Sequence, residues 1–150
     1  KYKMSNVIRK TVGVITLSAY SLFIGCEDSS IEPITFKLNA GLPKDENGYY
    51  HMNLNNGSEQ TLHRISGKVL RNGRPVNVIK FSWLSDTYWI MGDWQVPIVN
   101  SSSYSNADGE VNTMVAAVVS MKGDTATIYY GYHDNWTYED TFGDFKIIFN

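Results

Sequence analysis

The stretch Lys68-Val69-Leu70-Arg71-Asn72-Gly73-Arg74-Pro75-Val76-Asn77-Val78-Ile79-Lys80-Phe81-Ser82-Trp83 decides the fold class. Two β-rich runs, 68–70 and 75–83, flank Arg71-Asn72-Gly73-Arg74, and Asn and Gly are the residues that tolerate positive φ in a tight hairpin turn. In the second run Ile79, Phe81 and Trp83 fall on one face, while Lys80 and Ser82 fall on the other. That period of two predicts a half-buried strand. Because its face also holds Ile79 and Phe81, Trp83 is expected in the core.

The same grammar extends both ways. Ile34-Thr35-Phe36-Lys37-Leu38 alternates apolar and polar, and 43–48 carries the Pro, Asp, Asn and Gly of a turn. Runs at 49–54 and 60–66 flank Asn55-Asn56-Gly57-Ser58, which predicts a second hairpin. Shorter apolar runs at 88–91 and 94–99 are separated by Gly92-Asp93, and 101–109 is the longest polar loop. The run 111–119 is apolar on both faces, as in a strand covered on both sides. Residues 121–124 form a tight turn into 125–132, and in 145–149 Phe145, Ile147 and Phe149 share one side. About eight to ten short strands at this spacing, with no sustained helical period, predict an all-β fold: a single antiparallel β-sandwich over 34–150.

Ser66-Gly67-Lys68-Val69-Leu70-Arg71-Asn72-Gly73-Arg74-Pro75-Val76, followed by Asn106-Ala107-Asp108-Gly109-Glu110-Val111, resembles the strand–turn pattern of bacterial immunoglobulin-like and transthyretin-like domains. The likeness covers roughly 64–131. It implies an immunoglobulin-like sandwich and no particular activity, since such folds host many unrelated roles.

The N-terminal region reads differently. Lys1, Lys3, Arg9 and Lys10 give residues 1–25 a formal charge of +4 with no acid, and a mostly apolar segment runs from 12 to 24. A permanent bilayer-spanning helix needs about 20 apolar residues, so this segment is too short. A basic start, an apolar stretch of this length and a small residue before the cut make a secretory signal peptide. Phe23-Ile24-Gly25-Cys26 resembles the lipobox of bacterial lipoproteins, with Phe23 where the family has leucine. The resemblance implies cleavage between Gly25 and Cys26, with palmitate-type acylation of Cys26 and an outer-membrane anchor through those acyl chains. The expected organisation is signal peptide 1–25, acylated cysteine and flexible tether 26–33, and the sandwich 34–150. Glu27 and Asp28 also resemble the surface-export signal of lipoproteins from Bacteroidota.

Charge and cysteine usage then narrow the class. Of 13 Lys and Arg, four lie in the leader, so nine face all 15 acids after it and that part carries −6. Such an acidic domain lacks the clustered cations that nucleic-acid binding needs. With the single cysteine lipidated, an exported chain has no disulfide to staple it. All four Trp, eight of the ten Tyr and five of the six Phe lie after the leader, and they must stabilise it by packing instead.

No Gly-x-Ser-x-Gly elbow, His-Glu-x-x-His or phosphate loop occurs, so no enzyme is expected and no cofactor is implied. The rival reading, a small hydrolase or metal-dependent enzyme, would have to use His51, His63 or His133. If the hairpin register sets His51 opposite His63, the two imidazoles lie about 5 Å apart at Cβ, close enough to share a metal. Two histidines fall short of the three or four protein ligands of zinc sites, so no metal is expected. Asn106-Ala107-Asp108-Gly109 and Asp45-Glu46-Asn47-Gly48 are turns, because the twelve-residue calcium loop would begin at Tyr104 or Pro43. The aromatics remain. Trp89, Trp94 and Trp136 sit beside Gly, Asp and Asn, and with Tyr132 they are the candidate ligand-binding rings. Flat rings beside carboxylates and amides suit stacking on a glycan or anchoring a protein partner. The expected role is therefore a lipid-anchored binding or structural module of the cell envelope, or an accessory subunit of an outer-membrane assembly.

Overall fold

A computed structural model of the chain describes residues 31–57, 60–86, 88–90 and 93–150, of which 88–90 and 93–95 are described by their backbone alone. The expected signal peptide, with Gly25 and Cys26, and the expected tether as far as residue 30 lie outside the described residues. The compact unit that carries the fold runs from Glu32 to Asn150.

Among the described residues eleven strands occur in order: β1 (Thr35–Asn39), β2 (Tyr50–Met52), β3 (Thr61–Arg71), β4 (Arg74–Pro75), β5 (Lys80–Ser85), β6 (Tyr88–Ile90), β7 (Asp93–Gln95), β8 (Ser102–Tyr104), β9 (Glu110–Ala117), β10 (Thr125–Asp134) and β11 (Glu139–Phe149). One sheet is built on β3, with β1 along one edge and β4 and β9 along the other. The second has the order β2-β11-β10-β5-β8. β6 and β7 form a separate hairpin. The fold is an all-β sandwich, as the alternation predicts. One correction applies to its strand sense: β2 joins β11 in parallel, so the second sheet is mixed and not wholly antiparallel.

The Asn72-Gly73 turn forms as expected. Asn72 and Gly73 have φ of 52° and 74°, and Leu70 pairs with Pro75 and Arg71 with Arg74 across them. The chain then leaves the first sheet. Val78 turns it at φ 61°, with its N–H donating to the Ser105 carbonyl at 2.9 Å, and β5 enters the second sheet two residues later. The second predicted hairpin does not form as a pair of neighbours. Its arms separate, because β2 pairs with β11 while β3 pairs with β1, β4 and β9.

The core lies between the sheets. Ile65, Val69, Val111 and Val115 from the first face Phe81, Trp83, Ile128, Ile147 and Phe149 from the second, all fully buried. Phe36 bridges the layers, with its ring centroid 4.8 Å from those of both Phe81 and Tyr130. Each such side chain contributes about 1.5–3 kcal/mol by leaving water. Trp83 adds a hydrogen bond from Nε1 to Ser103 Oγ at 2.8 Å, which satisfies the one polar atom its ring buries.

Candidate ligand-binding site

Asp134 ends β10 and shapes the turn into β11. Its Oδ1 accepts the Trp136 N–H at 3.0 Å, its carbonyl accepts the Tyr138 N–H at 2.8 Å, and Tyr138 takes φ 59°. A short carboxylate that binds the backbone two residues ahead is an Asx turn, and it fixes the four-residue connection between the two strands. Asp134 is itself buried, and both its oxygens accept from the Arg71 guanidinium, which arrives from the end of β3 in the other sheet. Burial pushes the Asp134 carboxyl up, but the Arg71 and Trp136 hydrogen bonds outweigh it and hold the group below its ordinary 3.8. It stays ionised.

The same guanidinium supports Trp136. The Arg71 carbon lies 5.3 Å from the Trp136 ring centroid, a cation–π contact that covers one face of the indole. Trp136 is nonetheless 66 % exposed. Its backbone is held by Asp134 and one face by Arg71, so the indole is presented to solvent in a defined orientation. Arg71 also lines a groove of about 560 Å³ with Asn72, Arg74, Pro75 and Val76. An exposed indole beside a groove carrying guanidinium and amide donors can stack on a sugar ring and hydrogen-bond its hydroxyls.

The other aromatic candidates divide. Tyr132 is a correction: it is 6 % exposed, its ring is stacked 4.7 Å from Phe81, and its hydroxyl donates to the Ile34 carbonyl at 3.3 Å. A ring spent in this way has no face for a ligand. The registers of β10 with β5 and β11 turn Ile128, Tyr130 and Tyr132 inward and Tyr129 and His133 outward. Trp89 and Trp94 pair across the β6–β7 hairpin, and their side chains lie outside the described residues.

Two features escape a reading of the sequence. One is the Arg71–Asp134 pair, which joins residues 63 positions apart. The other is the outer face of the second sheet, where Leu84 and Tyr129 are directly paired and Phe142 is paired with Gly131. Phe142 is 80 % exposed and Leu84 65 %. The Phe142 ring lies over Gly131, where a Cβ would fall 2.7 Å from its Cδ1. Only a glycine at 131 lets that ring lie flat on the sheet. The run Thr141-Phe142-Gly143 gives no hint of it except a large apolar residue at an outward position.

The histidines do not assemble. His51 lies on β2 and His63 on β3, in different sheets, so the facing register is corrected. Asn150 Nδ2 donates to His51 Nδ1 at 3.1 Å, which leaves Nε2–H to donate to Asp45 Oδ2 at 3.1 Å. His63 Nε2 donates to the Ala40 carbonyl at 2.7 Å. His133 Nδ1 meets Asp140 Oδ1 at 2.9 Å on the exposed outer face. Among the described residues no three His, Cys, Asp or Glu side chains form a metal-holding group. Neither this groove nor a second one, along β2 and β11, has a histidine in its lining. The three histidines therefore lie apart, each engaged with its own local partner.

Compared with known proteins, the chain matches no family model, and no curated protein is significantly similar to it.

Proposed function

We propose that this protein is a bacterial lipoprotein, anchored to the outer membrane through Cys26, whose sandwich binds a glycan by stacking on Trp136. The observation that carries the reading is the Trp136 indole, 66 % exposed yet held by Arg71 and Asp134. A mobile surface tryptophan loses side-chain entropy when it binds, whereas one already fixed has little left to lose. Asn72 and Arg74 in the adjoining groove supply donors for hydroxyl oxygens. The lipobox supports the anchor, and the acidic Glu27-Asp28-Ser29-Ser30 supports a tether that keeps the domain clear of the bilayer.

The test is a glycan-array screen of the detergent-solubilised chain, repeated with Trp136→Ala. Glycans retained by the parent and lost by the variant support the reading. An array bound equally by both, or by neither, rejects it.

A second reading, an accessory subunit of an outer-membrane assembly, is favoured by the outer sheet face. Leu84, Tyr129 and Phe142 form an exposed apolar cluster there, and large rings of this kind anchor protein interfaces. A partner that co-purifies with the parent and is lost with Phe142→Ser, while Trp136→Ala retains it, would favour this reading over the glycan.

A further inference from the structure

The second groove lies elsewhere, over β2 and the middle of β11. It is an open groove of about 460 Å³, lined by Lys44, Asn47, Tyr49, Tyr50, Asp144 and Lys146, among others. Lys146 is seven residues along β11 from Glu139, where the Trp136 turn ends, which is about 23 Å of strand. The two grooves are separate.

Its two lysines are unusual in what holds them. Lys44 Nζ lies 5.2 Å from the centroid of the Tyr50 ring and Lys146 Nζ lies 5.4 Å from that of Tyr49. Neither ammonium has a carboxylate within ion-pairing distance among the described residues. Tyr50 is itself fixed by an edge contact with Phe145, at 5.8 Å and 89°. An ammonium over an aromatic face keeps its charge and its hydrogen-bond donors, and can turn to a stronger anionic partner.

The neighbouring acids are accounted for differently. Asp45 is turned into its own loop, where Oδ1 accepts the Tyr49 N–H at 2.8 Å and Oδ2 accepts from His51. Asp144 lines the groove beside the lysines. A free inorganic anion gains from the lysines but is repelled by Asp144. A ligand that carries both a carboxylate and hydroxyl groups gains from all of them. Its carboxylate meets Lys44 and Lys146, and its hydroxyls donate to Asp144 and bond the Asn47 amide.

We infer that this groove is a second binding site, for an acidic sugar of the uronic acid class. The inference stands apart from the Trp136 reading, since it uses none of those residues.

The experiment is calorimetric titration of the full chain in detergent with oligogalacturonate, with its methyl-esterified form, and with inorganic sulfate. The acid form is expected to bind, the ester to bind about tenfold or more weakly, and sulfate to bind weakly or not at all. Lys44→Gln with Lys146→Gln should lower affinity for the acid form about tenfold or more and leave the ester unchanged. The pair Lys44→Arg and Lys146→Arg should keep binding, and thermal melts should be alike for all variants. Trp136→Ala should leave the acid-to-ester preference intact even if it abolishes binding of other glycans. Equal affinity for acid and ester, no effect of the glutamine pair, or sulfate binding as tightly as the sugar would each overturn the inference.

Discussion

Arg71 and Asp134 lie on opposite sheets, and their ion pair ties the end of β3 to the end of β10 directly beneath Trp136. Both side chains are nearly withdrawn from water, at 16 % and 4 % exposure. Removing one partner of a buried pair leaves an uncompensated charge, at a cost of about 3–5 kcal/mol. Asp134→Ala should therefore shift the urea midpoint strongly downward at unchanged slope. The double variant Arg71→Met with Asp134→Leu should recover most of that loss, because an apolar pair of similar size leaves no orphan charge. Trp136 should then be freed, so glycan affinity should fall although stability returns.

The same pair sets an acid limit. Asp134 is held below its ordinary 3.8, so its contribution to stability is fully present above that value. It is lost as pH falls from about 3.8 through the depressed folded value, because there the unfolded chain takes up the proton first. Chemical denaturation at a series of pH values should show this decline in the parent. In Asp134→Asn the corresponding part of the slope should be absent.

Val78 offers a gain. It is β-branched, 66 % exposed and held at φ 61° where the chain crosses between sheets. A left-handed conformation costs an L-residue about 1–2 kcal/mol, and asparagine tolerates it better. Val78→Asn keeps the N–H that bonds Ser105 and should raise stability by about 0.5–1 kcal/mol. The check is the shift of the urea midpoint.

Trp83 should be the least tolerant core position. It is fully buried, stacked 5.7 Å from Phe81, and donates to Ser103. Trp83→Ala should cost about 3–5 kcal/mol and leave a chain that melts near or below ambient temperature. Thermal denaturation followed by circular dichroism reads this directly.

How much of this can be read in the sequence depends on range. Ile79, Phe81 and Trp83 share a face because alternation is local, and Asn72-Gly73 turns because its two residues accept positive φ. The failures all involve distant partners. His51 and His63 flank a turn-like loop, yet β2 pairs in parallel with β11, almost a hundred residues away. Tyr129-Tyr130-Gly131-Tyr132 carries aromatics at both odd and even positions, so its period does not say which face turns inward. The register with β5 makes that choice, and it buries Tyr132. Trp136 is visible as a tryptophan among turn residues, but the arginine beneath it is not.

If the clamped indole of Trp136 is a ligand platform, its removal must cost affinity and little else. The most direct measurement is the affinity of the parent and of Trp136→Ala for the strongest glycan the parent binds, with melting temperature recorded for both. Loss of one stacked ring should weaken binding about tenfold or more while the melting temperature stays within a few degrees, since the ring lies largely outside the core. Equal affinities for the two proteins would show that Trp136 carries no ligand.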